Sequence, residues 1–505
     1  MKKLFLLLFS VSLVGLTTGC EKDLDLTPLS NGSVPDFYKT AADFDQALTA
    51  IYSQLRGYPD RILTMSEIRS DNIYGVSSLG VRDWDPINNF NTTLAVSPYT
   101  ADVWASDFGA IFRANTFLDQ LALNGTVVSA GLRKRYEAEA RYLRAFHYLD
   151  LVRMFGKVPV LDHALSPAEA AKVPRSPVPA VYDLILADLL MAKDNLPLNY
   201  TGANVGRATA GAAKGLLALV YLTRSGPTYG IEGPGLGLNE YDKAYALCNE
   251  VIASATAARN SFLSSYPGIF ANNNENNGEV VFDIQYITGN GASYPGWLVP
   301  DGYFSSLGIS IQSGGIEIKP VSKDLINSYA ANDPRKTFSI ANGYTTGTGA
   351  SLFTETRPLV KKYIDAAYKP TTRTDWAINF IVMRYTDILL MKAEAILKGG
   401  GGAPADALAI VNQVRARGAQ PALASITYPQ LIEERRREFV GEGLRWHDLV
   451  RSGLVLSVMN AWIPAEDNTV EMKMRRNIGP NDIIYAVPQA ELSSAPGLYQ
   501  QNPGY

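Results

Sequence analysis

The sequence predicts a mainly α protein of tetratricopeptide-like helical hairpins, packed on a loop-rich half with a few short strands. Three observations carry that prediction. Apolar residues recur with helical periodicity in paired segments, several of which stop at Gly57, Gly156, Gly226, the Gly399–Gly402 run and Gly418. Alanine collects at close-contact positions, as in Ala208, Ala210, Ala212, Ala213 and Ala218 and again in Ala405, Ala407 and Ala409. Small residues let neighbouring helices approach, as stacked hairpins require. Two long stretches between the helices lack the periodicity and are rich in Gly, Asn, Ser, Thr and aromatic residues.

The 505 residues are 47% apolar and 19% charged, a globular composition that sets aside disorder, a collagen-like repeat and a disulfide scaffold. Lys and Arg number 46 against 49 Asp and Glu, a net charge of −3 that becomes −5 once residues 1–19 and their two lysines are removed. Without a basic excess there is no electrostatic footprint for nucleic acid, and none is expected as a partner.

Residues 1–19 read as a lipoprotein signal peptide. Lys2 and Lys3 precede an apolar run from Leu4 to Leu16, and Thr17, Thr18 and Gly19 bring small residues up to Cys20. The apolar run is too short for a resident membrane helix. Leu16 stands one place further from the cysteine than the usual lipobox has it. Cys20 is the expected lipidation site, and Glu21, Lys22, Asp23 and Asp25 lead away as a solvated tether. The mature chain, 20–505, shows no Pro/Ser linker that would divide it.

Helices are expected at about 40–56, 103–123, 133–155, 178–195, 208–225, 241–257, 382–398, 404–417 and 427–443. They group as repeats at 40–56, 103–257 and 382–417, without a strict 34-residue period. The loop-rich parts are 57–102 and 259–381, the second holding one clear strand from Glu279 to Tyr286. Long loops on a rigid scaffold usually carry function.

Familiar catalytic patterns are absent. His147, His163 and His447 lie far apart and form no HExxH or CxxC arrangement, so no metal and no cofactor are expected. The glycines of 230–237 are in neither the Walker nor the dinucleotide register, and no GxSxG elbow occurs. Cys248, on the same helical stripe as Ala244 and Val251, reads as a packed, inert thiol.

What the loops do contain is flat rings among amide and charged side chains. One cluster is Arg69-Ser70-Asp71-Asn72, Trp84 and Asn88-Asn89-Phe90-Asn91; the other is Tyr294-Pro295-Gly296-Trp297 with Asp301 and Tyr303. A sugar ring has an apolar C–H face that stacks on Trp or Tyr and a hydroxyl edge that pairs with Asn, Asp and Arg. Each ring equally suits a plug that anchors its own loop. Trp104, Trp376, Trp446 and Trp462 accompany helical patterns and read as core. Near the C-terminus Glu433, Arg436 and Arg437, and then Arg445, Asp448 and Arg451, are spaced for intrahelical ion pairs. Together with Arg384 and Asp387 they read as architecture.

Several ordered blocks resemble the SusD/RagB family of starch-binding-associated, nutrient-capturing outer-membrane lipoproteins. Arg141-Tyr142-Leu143-Arg144-Ala145-Phe146-His147-Tyr148 leads to Phe155-Gly156-Lys157-Val158-Pro159-Val160, like the family's RAFxY…FGxVP stretch. Arg207-Ala208-Thr209 opens a helix ending in Tyr221-Leu222. The run from Arg384 to Ala395 is similar to the family's RYADxLLxxAEA helix. Glu433 to Phe439, continuing through Gly443 to Arg451, resembles its most recognisable block, and Gln501-Asn502-Pro503-Gly504-Tyr505 its ending.

The resemblance spans essentially all of 20–505, with a C-terminal family block at about 427–505. It implies about four hairpins and a ligand face built as an arc of aromatics with an Arg and an Asn. On this chain the arc falls to Trp84, Asn88 or Asn89, Tyr294 and Trp297, with Arg69 as the guanidinium and Tyr303 as a further contact. The implied function is non-enzymatic. Such a protein, lipid-anchored at Cys20 on the outer membrane and facing the exterior, binds oligo- or polysaccharide and delivers it to a SusC-like TonB-dependent transporter. A peptide cargo, as for RagB-like members, is the alternative within the family. A glycoside hydrolase stays open because paired carboxylates leave no spacing signature. A helical scaffold that binds only proteins would bury the loop rings.

Overall fold

The structure, a computed structural model, describes residues 37–76, 82–311, 317–368, 370, 372–466, 476–494 and 496–505. The signal peptide, Cys20 and the acidic tether lie outside the described residues. Counting helices of eight or more residues, the described chain forms α1 (Ala41–Tyr52), α2 (Pro98–Asn124), α3 (Ala130–Phe155), α4 (Val178–Asn195), α5 (Ala210–Ser225) and α6 (Tyr241–Ala253). After a long interruption come α7 (Tyr385–Leu397), α8 (Pro404–Arg417), α9 (Tyr428–Phe439), α10 (Arg445–Ser452) and α11 (Val455–Glu466). No helix among the described residues is long and apolar enough to cross a membrane.

Local chemistry sets the ends. Thr40 with Asp43 and Thr427 with Gln430 make reciprocal capping bonds at the starts of α1 and α9, and the Thr209 hydroxyl accepts from the Ala212 N–H at the start of α5. Pro98 and Pro404 open α2 and α8, where a missing N–H costs nothing. Gly156 ends α3 at φ +67°, and the Glu232 carbonyl occupies the space a Cβ would need.

From α2 to α8 each helix packs on the next, α1 lies against α2 and α3, and α9 lies against α7 and α8. The hairpins are therefore α2/α3, α4/α5, α6/α7 and α8/α9. Their closeness depends on small side chains: Ala210, Ala212, Ala213 and Ala218 of α5 are buried, and a Cβ on Gly215 would overlap Met383 and Ile388. The third hairpin is split, because residues 254–384 leave the stack after α6 and return at α7. That insertion holds β1 (Val280–Ile284), β2 (Ile340–Ala341), β3 (Tyr344–Thr346), β4 (Phe353–Glu355), β5 (Leu359–Val360) and β6 (Phe380–Arg384). They pair as three antiparallel ribbons, β1 with β6, β2 with β5 and β3 with β4.

Three expectations change. Residues 382–384 belong to β6 rather than to the helix after it, because β1 captures their backbone. Helix α2 begins at Pro98, before the expected start, because proline at the first helical position has its φ preset and no N–H to leave unpaired. Region 57–102 is more ordered than a loop: Tyr58–Ile62 continues into a π-helical turn, Leu63–Ile68, whose six residues are all buried. Its Glu67 is satisfied by one near and one distant donor, the Asn72 amide at 2.9 Å and the Gly443 N–H at 2.8 Å. Trp104, Trp376, Trp446, Trp462 and Cys248 are core, and burial pushes the Cys248 thiol far above its ordinary pKa.

Buried ion pairs clamp the insertion to the stack. Glu438 of α9 accepts from Arg384 (3.0 Å), Arg417 (2.6 Å) and Arg335 (3.1 Å). Glu442 takes Arg384 and Lys362, and Glu279 beside β1 takes Arg417. Asp71 accepts from both Arg445 (2.7 Å) and Arg436 (3.0 Å), tying the first loop region to α9 and α10. Two of the helical pairs foreseen from spacing exist, Arg436–Glu433 at 3.4 Å and Arg451–Asp448 at 2.9 Å, while Arg437 takes Glu434 and Arg445 takes Asp71 and Glu433 instead. The remote carboxylates matter more, because a buried guanidinium needs a buried partner.

Candidate functional site

The two loop regions are joined backbone to backbone. Ile73 bridges Val321 and Val76 bridges Ile318, both antiparallel, so residues 73–76 lie along 318–321. The short helix Tyr294–Leu298 packs on Tyr58–Ile62. Both aromatic clusters therefore reach one part of the molecule, but most of their members face inward.

Trp84 is only 2% exposed. Its ring covers Gly75, where a Cβ would overlap the indole, and its Nε1–H donates to Glu317 Oε2 at 3.1 Å. With a glycine floor and a carboxylate for its one donor, this indole is fully used by the fold. Asn88 is buried too, accepting from the Gly75 N–H at 3.1 Å and donating to Asn89 Oδ1 at 2.7 Å. Arg69 is a strut: it donates to the carbonyls of Ile87 (3.2 Å) and Asp482 (2.7 Å) and lies 4.1 Å from the centroid of Phe90 and 4.7 Å from that of Tyr485.

Tyr294 is sealed, with its hydroxyl donating to the Gly441 carbonyl and its ring edge-on to Tyr363 and Phe380. Burial pushes its phenol well above the ordinary value. Tyr303 is largely buried against Phe304 and Tyr344. Burial corrects Trp84 and Tyr294 as surfaces on which a ligand stacks, and Asn88 and Arg69 as the amide and guanidinium that meet its hydroxyl edge. Trp84, Arg69 and Tyr294 are each completed by a partner distant in sequence, whereas Asn88 straps its own loop to Gly75.

Trp297 is the exception, 41% exposed, with the half-buried Asn89 the other accessible member of the arc. The Arg373 guanidinium lies 5.0 Å from the Trp297 ring centroid. Arg373 is itself held by Asp301 Oδ1 (3.0 Å), by the Val299 carbonyl (2.9 Å) and by the Gly296 carbonyl. The Lys319 ammonium donates to the Trp297 carbonyl at 3.0 Å. Glu317 then links the clusters, taking the Trp84 N–H on one side and Arg82 at 3.3 Å and Lys319 at 3.9 Å on the other.

Burial brings Lys319 down to about 8 and raises nearby Asp60 to about 7. The result is a flat ring held rigidly at the surface, backed by a fixed cation and a carboxylate. Glu317, Lys319 and Arg373 were not foreseen, since nothing local in their sequence marks them; only the pairing of 73–76 with 318–321 brings them here. Among the described residues no group of three or more His, Cys, Asp and Glu is placed to hold a metal ion.

Fold and site together define a tetratricopeptide-like helical scaffold with a loop-built face on which Trp297 stands exposed. Residues 24–222 match the family model described as "Starch-binding associating with outer membrane", and residues 313–505 match that of the SusD family. The chain belongs to the SusD family. It is 28% identical to SusD-like protein P38 of Formosa agariphila over 90% of this chain and 92% of that one. Among solved structures, a laminarin-binding SusD-like protein superposes with a TM-score of 0.74 at 26% identity, covering 93% of this chain and 100% of the other. Surface glycan-binding protein A from Bacteroides fluxus gives a TM-score of 0.77 at 24% identity, covering 92% and 100%.

Proposed function

We propose that this protein binds oligo- or polysaccharide at the cell surface without cleaving it and passes it to a SusC-like TonB-dependent transporter. In this reading Cys20 carries the lipid that anchors the mature chain to the outer membrane, facing outward. The observation that carries the proposal is Trp297, a half-exposed indole braced by Arg373 and Asp301 on the loop-rich half, in a fold shared with a laminarin-binding relative.

Stacking in an open, wet site gives millimolar to micromolar affinity, roughly −4 to −8 kcal/mol. Weak holding suits release, and tethering beside a transporter raises the effective concentration without new contacts. The test is affinity electrophoresis of the purified protein through a panel of polysaccharides, with a reducing-end assay on the same glycans. Retention by at least one glycan without release of reducing ends supports the proposal. Retention by none, or release of ends, refutes it.

A further inference from the structure

The insertion holds a cavity of about 500 Å³ lined in part by Tyr303 and Ser306 of the short helix Asp301–Ser306, which follows the Trp297 segment in sequence. Its walls include Tyr303, Tyr344, Lys336 and Lys361. We propose that this cavity takes an anionic sugar residue, with its carboxylate or sulfate ester on Lys336 and Lys361 and its ring against Tyr303 and Tyr344. The inference rests on the glycan-binding reading and narrows it to acidic glycans.

The charges argue for it. No Asp or Glu lines the cavity, whereas two ammonium groups do. The acids nearby are already taken: Glu355 by Arg357 at 2.6 Å, Asp333 by Arg335 at 2.8 Å and Asp301 by Arg373 at 3.0 Å. Neither Lys336 nor Lys361 has a carboxylate within ion-pair distance among the described residues. Lys361 is partly withdrawn from water, and that burial lowers its pKa below the ordinary lysine value. An amine desolvated without a counter-charge is left in deficit, and an incoming anion relieves it.

The rings argue for a sugar rather than a bare anion. Tyr303 and Tyr344 stand 6.0 Å apart between centroids at 85°, forming two walls of a corner. Neither phenol hydroxyl has a hydrogen-bond partner among the described residues, so both are available to a hydroxyl-bearing ligand. The β3–β4 ribbon continues the surface from Tyr344 to the exposed Phe353, 6.1 Å away. Gly302 makes the corner possible, because a Cβ there would meet the Tyr344 ring. The net charge of the whole chain conceals this local excess of two positive charges.

The experiment uses pairs of polymers that share a backbone and differ chiefly in charge: dextran against dextran sulfate, and methyl-esterified pectin against pectate. Affinities for the purified full-length protein are measured by isothermal titration calorimetry. At least one charged member is expected to bind about tenfold more tightly than its neutral partner at low salt. That advantage is expected to vanish near 0.5 M salt, about where the Debye length falls to a few Å. The Lys336→Gln/Lys361→Gln variant, with unchanged melting temperature, is expected to bind charged and neutral members alike. Which pair shows the effect tells sulfate from carboxylate.

The inference is overturned if the charged members have no advantage, or if the advantage survives the double variant. Binding confined to neutral polymers would sink it and leave the proposed function standing. Binding to none of these, nor to any glycan of the wider panel, would sink both.

Discussion

Glu438 is the carboxylate on which the clamp between insertion and stack converges, and Glu438→Gln tests that role with little change of shape. The side chain is fully buried and accepts from Arg335, Arg384 and Arg417 at 2.6–3.1 Å. Burial alone would raise its pKa; the three arginines, led by Arg417, reverse that and hold the carboxyl far below the usual range. Neutralising it leaves part of three buried guanidinium charges uncompensated, a situation that costs about 3–5 kcal/mol. The partners that remain, Asp333, Glu434, Glu442 and Glu279, place the expected loss near the lower figure.

The assay is urea denaturation at pH 7, compared with Glu433→Gln. Glu433 also sits beside two arginines, but its side chain is 36% exposed, and its loss is expected to cost under about 1 kcal/mol. A depressed carboxyl pKa contributes stability that is complete above its unfolded value, about 4.3, and is lost as pH falls below it. The gap between native protein and Glu438→Gln should therefore narrow on acidification below that point. Equal losses for the two variants at pH 7, or a gap that widens in acid, would refute the reasoning.

Three further outcomes follow. Trp84→Ala empties a buried site over Gly75 and orphans a Glu317 acceptor; it is expected to destabilise by about 3–5 kcal/mol, seen as a lowered urea midpoint. Asp283, raised to about 7 by burial despite bonds from Gln285 and Asn379, binds a proton in the folded state that the unfolded chain gives up near 4. Its contribution therefore weakens the fold as pH rises from about 4 to about 7, and Asp283→Asn is expected to flatten the fall in melting temperature across that window. Cys248, buried and with its thiol pKa raised, is expected to resist a thiol reagent in the native protein and to react once urea unfolds it.

The helical stack was readable because its signals are local. Periodicity placed α3, α4 and α8 nearly to the residue, and the alanines of α5 announced close packing. The SusD family blocks were equally plain, and the ion pairs of Arg436 and Arg451 were visible as spacing. What spacing does not carry is the identity of a partner a hundred or more residues away. Arg445 finds Asp71, and Arg335 finds Glu438, only in the folded chain.

The rings teach the same lesson. Trp84 lies among the charged Arg82, Asp83 and Asp85 and Trp297 in the apolar run 294–300, yet it is the first that is sealed and the second that is half-exposed. The difference lies in Gly75 and Glu317, which floor and cap the first indole. Trp297 instead rests on Arg373, a residue whose neighbours give no local sign of its role.

The most direct test of the proposed recognition face is Trp297→Ala, measured by calorimetry against whichever polysaccharide the native protein retains. A lost stacking contact of about 1–3 kcal/mol predicts a fall in affinity of roughly 5- to 150-fold. The melting temperature should hardly change, because the ring already meets water. Unaltered affinity in a folded variant would contradict the claim that this indole grips the glycan.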